Sequence, residues 1–169
     1  MLVGGWLLPT PRAAAADQDR DALPYQYIYL ADFSRLRHEA QLGDVNAMFQ
    51  LGVMHYDPPE GTGISQSYRR AFLLFFEAAL RGHTTAQHNV GAMYWNGDFV
   101  SRNLVEGYAW FQLAAQAGDS AGRRKLKLHA DDLIAAQRDA AQARLPQLQA
   151  LLAQAKQTRV YDPRNYGIR

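Results

Sequence analysis

The stretch that decides the fold is Gly82-His-Thr-Thr-Ala86-Gln-His-Asn-Val90-Gly91-Ala-Met-Tyr94-Trp-Asn-Gly97-Asp-Phe-Val100, continued as Ser-Arg-Asn-Leu104-Val-Glu-Gly-Tyr108-Ala-Trp110-Phe111-Gln-Leu-Ala114-Ala115-Gln-Ala-Gly118. In its first half Ala86, Val90, Gly91 and Tyr94 recur at i, i+4, i+5 and i+8, which is one face of a helix. Asn96-Gly97-Asp98 is a turn signal. The second half predicts a helix from about Leu104 to Ala117, with Tyr108, Phe111, Leu113 and Ala115 giving a broad apolar face. Gly118 stands just past its end, where a left-handed residue closes a helix.

Read outward from there, the chain repeats itself. At an offset of 39, Ala40, Gly43, Ala47, Leu51 and Gly52 fall on Ala79, Gly82, Ala86, Val90 and Gly91. The first copy has a loop three residues longer, Asp57-Pro58-Pro59-Glu60 lengthening its turn, after which the offset is 36. Gly61, Ile64, Leu74, Phe75, Ala78, Ala79 and Gly82 then fall on Gly97, Val100, Trp110, Phe111, Ala114, Ala115 and Gly118. Small residues such as Gly52, Gly91 and the Ala-Ala pairs let helix backbones approach, and aromatic residues fill the wedge between hairpins.

These residues resemble the Sel-like repeat (SLR) family, relatives of the tetratricopeptide repeats with a unit of about 36 residues. The second copy matches the family pattern at Gly82, Ala86, Val90, Gly91, Tyr94, Gly97, Val100, Trp110, Ala114, Ala115 and Gly118. The first matches at Gly43, Ala47, Leu51, Gly52, Gly61, Gly63, Ile64, Ala71, Ala78, Ala79 and Gly82. His55 replaces a Tyr, Phe99 replaces the second loop Gly, and Ser67 and Asn103 stand at an Asp position. The resemblance implies an all-α fold, an α/α right-handed superhelical solenoid with a long C-terminal capping helix. It divides residues 29–130 into a half-unit 29–42, units 43–81 and 82–117, and a degenerate unit 118–130.

In the degenerate unit Leu126 takes the Leu position and Lys127 the Gly position. Residues 131–157 are expected to form the capping helix, with Asp131 or Asp132 as N-cap. Its sealing stripe runs through Ile134, Ala141, Leu145, Leu148, Leu152 and Ala155, and Pro146 is expected to kink or split it.

Composition agrees with helices. The 169 residues include 27 Ala and 20 Leu against 7 Val and 4 Ile, a set of helix formers. A hydrophobic share of 48% excludes a disordered or fibrous chain. The formal charge of +2 is nearly balanced, so no nucleic-acid partner is expected. With no cysteine, thiolate catalysis, disulfides and Cys-based zinc sites are excluded.

The ends differ from the middle. Residues 1–16 join the apolar run Leu2-Val3-Gly4-Gly5-Trp6-Leu7-Leu8 to Ala13-Ala14-Ala15-Ala16, the pattern of a secretory signal, with a disordered N-terminus as the other reading. The first places the mature protein in the periplasm or outside the cell; the second leaves it cytoplasmic. No stretch reaches the ~20 apolar residues of a membrane span. Residues 17–28 form an N-terminal extension, and 158–169 a tail in which Arg159, Tyr161, Arg164 and Tyr166 could dock.

No catalytic residue, metal site or cofactor is expected. His38, His55, His83, His88 and His129 form no metal-binding spacing, and no nucleophile motif is present. Arg123-Arg124-Lys125-Lys127 is the one basic run, read first as a solvated helix face, with contact to a phosphate or an acidic partner as the other reading.

Surface remains. By the resemblance to tetratricopeptide repeats, the first helix of each unit lines a concave binding face. Leu51/Gly52 and Val90/Gly91 face the core, which turns Asn46, Phe49, Val53 and Tyr56 to the groove in one unit, and Thr85, His88, Ala92 and Trp95 in the next. Phe49, Tyr56 and Trp95 are apolar for an exposed groove, the mark of contact. The contact is either a partner or the chain's own Leu23-Pro24-Tyr25-Gln26-Tyr27-Ile28-Tyr29. With no chemistry placed, the surface reads as that of a non-enzymatic adaptor or scaffold for another protein, and the resemblance implies a place in the bacterial envelope. The alternatives are a structural subunit of an envelope complex held by its Arg/Tyr tail, and then a hydrolase.

Overall fold

The protein is described here from a computed structural model over residues 25–157. Three glycines make its joints. Gly43, Gly82 and Gly118 take φ of 98°, 96° and 97°, a region that a side chain penalises. At the first joint Gly43 N–H donates to the Ala40 carbonyl and Asp44 N–H to the Glu39 carbonyl, each at 3.0 Å. The same pair runs from Gly82 and His83 to Ala79 and Ala78, and from Gly118 and Asp119 to Ala115 and Ala114. This is the Schellman closure of a helix C-terminus, and it explains why the Ala-Ala-x-x-Gly spacing recurs.

The residue after each glycine starts the next helix. The side chains of Asp44, His83 and Asp119 accept from the N–H of Ala47, Ala86 and Gly122 at 2.7, 3.1 and 2.6 Å, the N-cap geometry that satisfies an otherwise orphan donor. Ser67 and Asn103, at the family's Asp position, cap the second helices by accepting from Arg70 and Glu106 N–H.

The result is α1 (Tyr25–Gln41), α2 (Val45–Tyr56), α3 (Tyr68–Leu80), α4 (Thr84–Asn96), α5 (Leu104–Gln116), α6 (Ser120–Leu128) and α7 (Ala135–Gln157), with no strand among the described residues. It is an all-α helical repeat solenoid. Each helix packs on the next from α1 to α6, α4 touches α6, and α7 lies against α5 and α3. The first helices α2, α4 and α6 therefore form one layer, and α1, α3, α5 and α7 the other.

Between the layers lie Phe72, Phe75, Trp110, Phe111, Leu80 and Met93, each no more than 2% exposed. The paired alanines Ala78, Ala79 and Ala114 are fully buried. The closest approach is α4 on α5. A Cβ built on Gly91 would stand 2.9 Å from the Gly107 carbonyl oxygen, and one on Gly107 would stand 2.9 Å from the Gly91 carbonyl oxygen. Gly122 repeats the device on α6, 3.1 Å from the Phe111 carbonyl oxygen.

The C-terminal cap departs from expectation in three ways. Neither Asp131 nor Asp132 caps α7; Asp132 instead accepts from His129 Nδ1 at 2.6 Å. The helix begins after Ile134, whose N–H donates to Gln137 Oε1, one half of a capping box. Ile134 is consequently exposed and Leu133 takes its place in the core, at 68% and 2% exposure. The rest of the stripe, Ala141, Leu145, Leu148 and Ala155, is buried with Leu152 packed beside it. Pro146 does not split the helix: α7 runs through it unbroken, with the proline exposed on its surface.

At the other end α1 begins at Tyr25, ahead of the expected half-unit. The signal segment 1–16, the tail with Arg159, Tyr161, Arg164 and Tyr166, and the start of the Leu23–Tyr29 segment lie outside the described residues.

Candidate functional site

The layer of first helices carries two clefts, one on each side of α4. The first, of about 220 Å³, lies between α2 and α4 and is lined by Val53, Tyr56, Phe75, Asn89, Ala92 and Met93. Val53 is 41% exposed at its mouth. Tyr56 packs on Tyr68 and Phe75, and its hydroxyl donates to Asp98 Oδ2 at 3.0 Å. Burial first, and the Asp98 carboxylate second, push the Tyr56 hydroxyl up to about 12, so it stays a donor and fixes the cleft wall.

The second cleft, of about 650 Å³, lies between α4 and α6 and is lined by His88, Ala121, Arg124, Lys125, Lys127 and Leu128. His88 packs beside Phe111 with ring centroids 5.8 Å apart, and neither of its buried ring nitrogens has a hydrogen-bond partner. Burial lowers its pKa, Lys125 and Arg124 lower it further, and Asp119 opposes them. Leu128 is 68% exposed.

The eight expected groove residues therefore divide. Val53, Tyr56 and Ala92 meet at the first cleft and His88 lines the second. Asn46 is exposed and Thr85 half-buried, and neither lines these clefts. Phe49 stacks on His83 at 4.3 Å and leans on Phe75. This stack helps to bury His83 and hold its pKa down, which keeps the Nδ1 lone pair free to cap α4. Trp95 requires a correction: it is 9% exposed, not open to a groove. His129 covers it at 4.1 Å and Phe111 supports it from 6.1 Å.

His55, in the family's Tyr slot, is buried edge-on to Phe33 with Nδ1 3.3 Å from the Ser65 carbonyl. It plays an aromatic part and faces neither cleft. Among the described residues no cluster of three or more His, Asp or Glu could hold a metal ion, and no helix is long and apolar enough to cross a membrane.

The basic run of α6 is exposed at Arg123, Arg124 and Lys127, as a solvated face requires, and Arg124, Lys125 and Lys127 also wall the second cleft. The signal for that placement was in the register. Moved on by 36, Thr85, His88 and Ala92 become Ala121, Arg124 and Leu128, all three at the second cleft.

Residues 45–83 and 84–119 match the Sel1 repeat. The chain is a Sel1-like repeat protein. In such proteins the repeats generally mediate protein–protein interaction. Each Sel1 repeat begins here on the first residue of α2 or α4, two residues after the units counted from Gly43 and Gly82. Among solved structures, a protective antigen of uropathogenic Escherichia coli displaying an SLR fold superposes with a TM-score of 0.63 at 24% identity. The match covers 77% of this Sel1-like repeat protein and 28% of the antigen chain, and it bears on the fold alone. A comparison with curated protein sequences found no match.

Proposed function

We propose that this chain is a non-catalytic adaptor that takes a segment of a partner protein along the concave face of α2, α4 and α6, in the bacterial envelope. The observation that carries this reading is the pair of clefts flanking α4, lined by positions that recur from unit to unit. One row of side chains thus faces a ligand in three successive helices. The cleft linings hold apolar, cationic and neutral polar side chains and no carboxylate, and Asp119, the acid whose charge reaches His88, is engaged in capping α6, which favours binding over acid–base chemistry. Envelope location is supported by the apolar run Leu2–Leu8 ahead of Ala13–Ala16.

The test is site-specific photo-crosslinking in living cells, with the reactive group at Val53 and, as control, at exposed Ala143 on α7. A protein adduct that forms from position 53 and not from 143, recovered in the periplasmic fraction, is expected. Equal labelling from both positions would overturn the binding face, and recovery only from the cytosol would overturn the location.

A further inference from the structure

We infer that the cleft between α4 and α6 is a carboxylate-binding subsite, made for an acidic segment of the partner in which an Asp or Glu adjoins an apolar residue. This rests on the reading of the α2/α4/α6 face as the binding surface and adds the chemistry of what binds there.

Charge is the first reason. Helix α6 carries Arg123, Arg124, Lys125 and Lys127 within nine residues and no acid. Arg35 pairs with Asp32 and Glu39, Arg81 with Glu77, and Arg144 with Glu106, and the other cations without an ion pair are scattered over α1, α3, α7 and a loop rather than gathered on one short helix. None of the four on α6 has an ion pair among the described residues. The nearby acids are engaged or turned outward. Asp119 accepts from Gly122 N–H to cap α6, Asp132 accepts from His129, and Asp131 is exposed. Lys125 and Lys127 lie in the last turn, where a cation interacts favourably with the helix dipole. That accounts for cations at the helix end, not for Arg124 and Lys125 converging on a cleft.

His88 is the second reason. Both ring nitrogens are buried without a partner. An imidazole N–H left without an acceptor is costly, and a carboxylate entering between His88 and Arg124 would supply one. The floor is the third. Ala121 and exposed Leu128 occupy the groove positions held by Thr85 and Ala92 in the preceding unit, so one apolar side chain of the ligand can lie beside its acid. The lining has no aromatic ring besides His88, which argues against stacked bases.

The experiment uses the full chain and two short peptides, one alternating Glu with Leu and one alternating Gln with Leu, together with oligothymidylate and inorganic phosphate. Binding is followed by isothermal titration and by the ring resonances of ¹⁵N-labelled His88. The Glu peptide is expected to bind about tenfold more tightly than the Gln peptide, a difference of about 1.4 kcal/mol, to weaken with salt, and to raise the pKa of His88. Arg124→Glu should remove that preference while leaving the Tm unchanged, since its side chain is exposed and lies ahead of the last turn; Lys127→Gln should weaken the preference with only a small loss in Tm.

Equal binding of the two peptides, both lost in Val53→Arg, would overturn the carboxylate subsite and leave the binding face standing. Tighter binding of oligothymidylate or phosphate than of the Glu peptide would also overturn it. So would Glu-peptide affinity that rises when Asp17, Asp19 and Asp21 are changed together to Asn, because the occupant would then be the chain's own N-terminal segment.

Discussion

Gly91→Ala isolates the contact on which the stacking of the second unit depends. The added Cβ would lie 2.8 Å from Phe111 Cδ1 and 2.9 Å from the Gly107 carbonyl oxygen. A ring edge can rotate away, but a backbone oxygen moves only if α4 and α5 part. Ordinary contact then requires a shift of about 0.5 Å, enough to forfeit a quarter or more of the dispersion attraction along the seam. Overpacking of this kind costs about 1–3 kcal/mol, and contact with backbone on a fully buried helix pair puts Gly91 at the upper end. Alanine returns about 1 kcal/mol of helix propensity. The expected net loss is about 2 kcal/mol, or about 4–8 °C in Tm for a chain of this size. Urea unfolding followed by circular dichroism measures it, with Ala143→Gly on exposed α7 calibrating the propensity contribution in the same protein. Gly107→Ala should cost a similar amount, and the double variant less than the sum, because both open one seam. A Gly91→Ala protein as stable as the parent, or more so, would refute the close-approach account.

Two further outcomes follow from the structure. Burial holds the pKa values of His55, His83 and His88 below the ordinary imidazole value, so below about pH 6.5 the unfolded chain binds more protons than the folded one. Stability should be full above that pH and fall as pH drops through it; a urea midpoint equal at about pH 7.5 and 5.5 would contradict this, and His83→Asn, which keeps an acceptor at the cap, should shrink the drop. At the start of α7, Leu133→Ala should cost about 2–5 kcal/mol and Ile134→Ala no more than about 0.5 kcal/mol; thermal unfolding showing the reverse order would restore Ile134 to the sealing stripe.

Much of the fold was legible because the repeat writes backbone requirements into residue identity. A glycine at φ near 97° and two alanines whose carbonyls close the helix leave a spacing that survives large changes elsewhere. The cap of α7 was less legible because Leu133 and Ile134 are both apolar, and a shift of one residue at the helix start decides which of them is buried. Trp95 misled for a different reason. Its position faces a groove in the preceding unit, where Tyr56 stands, but here His129 from the degenerate third unit closes over it, a contact between segments 34 residues apart. The basic run was visible from the start, and Leu126 and Lys127 already set the register of α6 as a third first-helix; the groove positions of that register, Ala121, Arg124 and Leu128, are what place the run at a cleft.

The three glycine joints differ by no more than 2° in φ and close with the same pair of hydrogen bonds. The chain therefore leaves every hairpin along the same path, and a hairpin is an exchangeable part. A duplicate of residues 82–117 placed ahead of Gly118 would meet the joint it already knows on both sides, and would extend the face by one more first helix, with α7 carried along to cap the copy of α5. Duplication, rather than substitution, is then the cheapest way for such a gene to acquire a longer reach.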